Sequence, residues 1–269
     1  MPRLETWSVF FALAVFYGPV QRLCAQAVPT TTITLEQGDA FEDKMQTREA
    51  LRVYLQLERE GRKDAELLYR IAREYSELIP DAANNDEKQR FGETALGYAK
   101  QAVAADGKSA SAYLCLSICY GRLAFFQDSR TKLEFSRQVQ ANAETALKLD
   151  PTLDYADYVL GAWNYEIANL NFVLRGLANL IYGGLPDASN EKAVEYLRKA
   201  IALAPQRASH HIELGRTYAV MGRNDLARDE LEQGLALPTR VKDDEEMKRI
   251  AQETLSGLPK RAVVAQARQ

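Results

Sequence analysis

The sequence predicts an all-α solenoid in which antiparallel helix pairs stack in series and end in a C-terminal capping helix. Three observations carry this prediction. The stretch 209–238, SHHIELGRTYAVMGRNDLARDELEQGLALP, reads as two short helices back to back. Leu214, Tyr218 and Met221 recur at helical spacing, and Gly222 ends the first helix because it takes φ > 0 without steric cost. Asn224 is placed to cap the second helix, where Asp225 suits the positive end of the dipole. Leu226, Ala227, Leu231, Gly234 and Leu235 then form one side, up to Pro238. The second observation is that small residues (Gly215, Ala227, Gly234) alternate with large ones (Leu214, Tyr218, Leu231), as close packing of two helices requires. Such a pair cannot bury its apolar face alone, so others must stack on it. The third is composition: 15 Gly and 9 Pro in 269 residues leave little room for turn-rich all-β architecture.

The elements follow in chain order. Arg3, the apolar run Trp7 to Val20 and the small residues Ala25-Gln26-Ala27 have the layout of a secretory signal peptide cleaved after Ala27. The run is short for a membrane span and contains Gly18-Pro19, so an N-terminal membrane anchor is the alternative. Export to a periplasmic or secreted location is therefore expected. Residues 28–34 read as a linker. From Leu35 to Arg59 the pattern is helical and ends at Gly61, with Ala50, Tyr54 and Leu57 in second-helix positions. Leu68, Ile71, Ala72 and Tyr75 mark the next first helix. Its partner carries Ala95, Ala99 and Ala102 after a polar loop from Asp81 to Arg90. Tyr113, Leu116, Ser117 and Tyr120 pair with Val139, Ala143 and Ala146, across a second loop from Phe125 to Glu134. Leu160-Gly161 pairs with Ala193, Leu197 and Ala200. Between these halves lies an apolar insertion at 169–186. Gly183-Gly184 and Pro186 read there as a tight turn leaving an elongated first helix. A helix from Asp243 to Leu258 supplies the cap, with a solvated acidic start, and 259–269 read as a disordered tail.

These positions resemble a tetratricopeptide repeat, a unit of about 34 residues. Its slots hold His211, Leu214, Gly215, Tyr218, Ala227, Leu231, Gly234 and, one place early, Pro238. A more particular resemblance comes from LGAWNYEIANLNFVLRGLANLIYGGLPDAS, from IALAP, from GLALPTRVKDDEEMKRIAQETLSGL and from ELLYRIAREYSEL. Together they are similar to the regulator of microtubule dynamics family. That resemblance implies a tetratricopeptide-like fold and carries no catalytic motif. Animal members of the family are linked to microtubules and organelle membranes. The signal-like start makes an exported bacterial relative the expected variant. Microtubule binding is not expected, because an exported protein does not meet microtubules and a chain of net charge −3 is a poor match for acidic tubulin.

No constellation for catalysis, a cofactor or a metal emerges, and no basic stripe marks a nucleic-acid partner. His210 and His211 are adjacent on a helix and point about 100° apart, so they do not form a shared metal site. His211 reads as a satisfied, partly buried histidine, and Cys115 and Cys119 read as small buried hydrophobes without a disulfide. Function is therefore sought on the concave wall formed by the first helices. Its inward positions hold Tyr69 and Arg73, then Leu114, Ile118 and Arg122, then Tyr155, Tyr158 and Tyr165, then Ile212 and Arg216. Tyrosine and arginine are the types most enriched at binding hot spots, and arginine takes carboxylates bidentately. The expected function is a non-enzymatic scaffold holding a protein or peptide partner in this groove. The alternative is a carrier of a lipid or other apolar ligand in a cavity closed by the 169–186 insertion.

Overall fold

Several helix ends are set by local signals, either a capping side chain at the start or a glycine of positive φ just past the end. In the computed structural model, which describes residues 33–182 and 187–260, twelve helices account for all the regular structure among those residues. α1 (Leu35–Glu42) and α2 (Thr47–Arg59) are separated by a turn in which Met45 takes φ 56°, so the single helical stretch expected from Leu35 to Arg59 is two helices. α2 ends at Gly61 (φ 102°), and the Arg62 N–H donates back to the Leu57 carbonyl. α3 (Ala65–Glu77) starts at Asp64, whose carboxylate accepts from the Leu67 N–H at 2.9 Å. α4 (Asn85–Ala105) and α6 (Ser129–Leu149) each run 21 residues. The two expected loops are therefore mostly helix. Asn84 and Asp128 cap them early, accepting from Glu87 and from Arg130 and Thr131. Between them lies α5 (Ala110–Ala124), capped by Ser109.

α7 (Asp154–Ala168) stops at Asn169 and is not elongated. The insertion instead forms a separate helix, α8 (Phe172–Tyr182), before α9 (Asn190–Leu203). α10 (Ala208–Val220) ends at Gly222, φ 71°, with the Arg223 N–H bonded to the Tyr218 carbonyl. Asn224 does not cap α11 (Asn224–Ala236). It is already the first helical residue, and no side chain caps that end. α12 (Asp243–Gly257) closes the stack. The segment 1–27 expected to be a signal peptide, the expected linker up to residue 32, the expected turn at Gly183-Gly184 and Pro186, and the expected tail from 261 lie outside the described residues. Among the described residues, no helix is long and apolar enough to cross a membrane.

The pairs are α1/α2, α3/α4, α5/α6, α7/α9 and α10/α11, with α12 against the last. Small residues set their spacing. A Cβ on Gly161 would lie 2.5 Å from Leu197 Cγ, and one on Gly215 would lie 2.6 Å from Leu231 Cγ. Ala99, Ala143, Ala146, Ala193, Ala200 and Ala227 are fully buried at the equivalent second-helix faces. Leu67, Ile71, Leu197, Leu214 and Leu231 fill the space between, each contributing about 1.5–3 kcal/mol by leaving water. Cys115 and Cys119 are buried free thiols among them.

The insertion region divides between core and surface. Leu170 and Ala188 pack on the cluster of Val139, Trp163 and Ile167, and Ala178 is buried. Phe172, Val173 and Leu180, however, are 89%, 74% and 84% exposed. Among the described residues, none of 169–182 lines either of the two cavities on the concave side.

Candidate functional site

What crosses the groove is the connection between α11 and α12. Residues 237–242 are irregular and run along the concave side to the end of α3. Asp244, in the first turn of α12, is only 3% exposed, and its carboxylate accepts from the Arg240 and Val241 N–H groups at 2.8 and 3.1 Å. The acidic start of α12 is thus not simply solvated: Asp244 folds the preceding turn, and Asp243 reaches Arg122 at 2.6 Å.

Two adjoining cavities open beside this strap. One, of about 290 Å³, gathers six of the sequence-predicted residues: Tyr69, Arg73, Leu114, Ile118, Arg122 and Tyr155. The other, of about 450 Å³, shares Arg73, Glu77, Arg207 and Val241 with it and continues along Thr239 to Lys242. Tyr158, Tyr165 and Arg216 lie further along α7 and α10 and line neither. Ile212 does not belong to the groove at all. It is fully buried, with its Cγ1 2.5 Å from where a Cβ on Gly234 would stand, and it shares a core cluster with Met247 and Ala251 of α12. The cap covers the face of α10 that would otherwise look inward.

The arginines are already matched by the chain's own acids. Arg73 pairs with Glu42 and, at 3.4 Å, with Glu74. Arg122 donates to the Ser76 carbonyl at 2.8 Å, to Glu77 at 2.7 Å and to Asp243 at 2.6 Å. Arg216 pairs with Glu213 at 2.7 Å and lies 4.8 Å from the Tyr165 ring centre. A ligand carboxylate therefore has to displace an internal partner.

Burial shapes the titration of this wall. Desolvation lifts the Glu74 carboxyl to about 7, although Arg73 opposes it. The unfolded chain ionises this group near 4.5, so burial of Glu74 costs stability as pH rises from there to about 7. Replacing Glu74 with glutamine is expected to raise stability at pH 8 by about 3 kcal/mol and to change little at pH 4. Urea unfolding at the two pH values checks this; an equal effect at both would show that folding leaves the Glu74 carboxyl unshifted, and a loss of stability at pH 8 would show that it is ionised and well paired.

Sequence reasoning missed a second group. Arg207, just before α10, pairs with Asp154 at 2.7 Å, lies over the Tyr155 ring and lines both cavities. Fully buried His210 bonds the same carboxylate at 2.9 Å and stacks on Tyr158 at 5.1 Å. Burial pushes the His210 imidazole below its ordinary value. His211, held by Glu230 at 2.7 Å and the Pro205 carbonyl at 3.0 Å, is raised by Glu230. His211 is thus satisfied, as its packing position implies. The available signal for the other group was Arg207 itself, one turn ahead of His210 and outside the helical periodicity. Among the described residues, no three His, Cys, Asp or Glu side chains converge to hold a metal.

Comparison with known proteins matches this arrangement to one family. The family model for Regulator of microtubule dynamics protein 1-3 matches residues 34–259. Regulator of microtubule dynamics protein 1 of Bos taurus is 25% identical over 225 residues, covering 83% of this chain and 70% of the relative. The Mus musculus protein of the same name is 25% identical over 226 residues, covering 83% and 73%. A thermophilic TPR protein of Thermus thermophilus superposes with a TM-score of 0.56 at 21% identity, over 82% of this chain and 97% of its own, a likeness of fold. The chain belongs to the regulator of microtubule dynamics protein 1-3 family.

Proposed function

We propose that the protein is a non-enzymatic scaffold, exported through its N-terminal segment, that holds a short stretch of a protein partner against its concave wall. The observation that carries this reading is the 290 Å³ cavity. Tyr69, Leu114, Ile118 and Tyr155 meet there from three successive first helices, none of them fully buried and all bordering open space. Apolar side chains around an open pocket, with charged groups at its rim, are the ordinary makeup of a peptide anchor site. The pocket admits one or two side chains rather than a long segment.

The test uses peptides selected on the wild-type protein from a displayed random library. Replacing Leu114 and Ile118 together with glutamine is expected to weaken those peptides at least tenfold while leaving the helical circular dichroism unchanged. Peptides that hold both proteins equally would place the binding surface elsewhere.

A further inference from the structure

We infer that residues 237–243 are a built-in pseudo-ligand, and that the partner segment accepted by the groove is a peptide turn reading large apolar, lysine, acidic. This deepens the scaffold reading and rests on it.

The strap occupies the place a partner would take. It is irregular chain on the concave side, and its contacts reach far back in the sequence. The Asp243 carboxylate sits on Arg122 of α5, at 2.6 Å. The Lys242 ammonium sits 2.6 Å from Asp81 and 3.4 Å from the Glu77 carbonyl. That carbonyl belongs to the last turn of α3, the end of a helix that attracts cations. Two adjacent residues thus fill two seats of opposite charge, one for a carboxylate and one for an ammonium. A peptide offering the same charges in the reverse order would meet like charge in both.

The third requirement comes from what the strap leaves unfilled. Val241 is its apolar contribution to the wall of the 290 Å³ cavity, beside Asp243, yet the space next to Leu114, Ile118 and Tyr69 remains. A leucine or phenylalanine at the Val241 position of an outside peptide reaches that space, and valine does not. The strap's contacts with Arg122 and Asp81 are ion pairs whose side chains are partly exposed, Lys242 at 21% and Asp243 at 40%. Such pairs are individually weak in water, so the strap is displaceable. A tethered competitor at about millimolar effective concentration hides the site from an outside peptide by the fraction of time it occupies it.

The experiment uses fluorescein-labelled synthetic peptides of the strap, LPTRVKDDEE, together with a version carrying leucine for its valine and a version with the first Lys-Asp order exchanged. Binding is measured by anisotropy on the full chain and on its Lys242→Ala, Asp243→Ala variant. That variant vacates both seats without touching the buried core. Expected results are binding at least ~10-fold tighter to the variant than to wild type, a further gain with the leucine peptide, and no binding of the exchanged peptide. Adding Asp81→Ala to the variant should weaken the native-order peptide again. Equal binding to wild type and variant, or equal binding of native and exchanged orders, overturns the inference. If the variant ignores every strap peptide yet retains library-selected ones, the pseudo-ligand fails and the scaffold stands. If it retains neither, both fall.

Discussion

Replacing Gly234 with leucine lowers the melting temperature by about 10 °C, from about 3 kcal/mol of overpacking at 2–4 °C per kcal/mol. The reason is the close approach of α11 to α10. A Cβ at Gly234 would stand 2.5 Å from Ile212 Cγ1, 3.1 Å from the Ala208 carbonyl oxygen and 3.2 Å from the Ile212 backbone nitrogen. Two of these three neighbours are backbone, so the helices must separate, and Ile212, Met247 and Ala251 lose contact as they do. Gly97 in α4 is the control, because nothing lies within 4 Å of a Cβ built there. Alanine at that position gains about 1 kcal/mol of helix propensity and raises the melting temperature by a few degrees. Thermal circular dichroism of the two variants checks the pair. Equal and small effects would mean that helix spacing at the last pair is set elsewhere.

Replacing Arg122 with alanine costs about 3 kcal/mol, chiefly through the mostly buried Glu77 carboxylate and Ser76 carbonyl that lose their donor, the more exposed Asp243 pair adding little. The substitution leaves Glu77 and Asp243 facing each other without a cation and the Ser76 carbonyl without its donor. Burial by itself pulls the Arg122 guanidinium down, but the two carboxylates outweigh it and hold the charge well above the ordinary arginine range. Lysine at this position rescues only in part. A compact ammonium does not span three acceptors that a planar fork reaches at once. Urea unfolding gives the magnitude, and amide exchange across 237–243 shows whether the strap opens with it. A wild-type midpoint for the alanine variant would mean that solvent screens the cluster and the strap is held by other contacts.

Much of the fold was legible because its packing is local and periodic. Ala99, Ala143, Ala193 and Ala227 recur at second-helix faces and are buried there, and Gly161 and Gly215 sit where Leu197 and Leu231 press in. Periodicity alone does not say where a helix starts. Asn84 and Asp128 looked like loop residues and are caps, so α4 and α6 came out longer than expected. It also misjudged the ends of the stack. Ile212 occupies an inward-looking position by repeat register, yet the last pair has a cap on that side in place of open groove. Of the candidate site, Tyr69, Arg73, Leu114, Ile118, Arg122 and Tyr155 were legible as one wall and do meet. Their internal acid partners were not legible. Asp243 stands 121 residues from Arg122, and no pattern in the chain links the two positions.

That separation bears on how the molecule melts. An open stack of helix pairs couples only nearest neighbours, so its ends fray independently and unfolding spreads inward pair by pair. Here the strap and the start of α12 are tied to α5, to the end of α3 and to Asp81 just beyond it by contacts spanning 121, 165 and 161 residues. The entropy of closing so long a loop grows only with the logarithm of its length, about 0.6 kcal/mol per doubling, and the folded pairs between have already fixed its ends. A one-dimensional array becomes a ring in topology. Loss of α12 then loosens α3 as well as α11, and unfolding draws in the first repeats and the last in a single cooperative event.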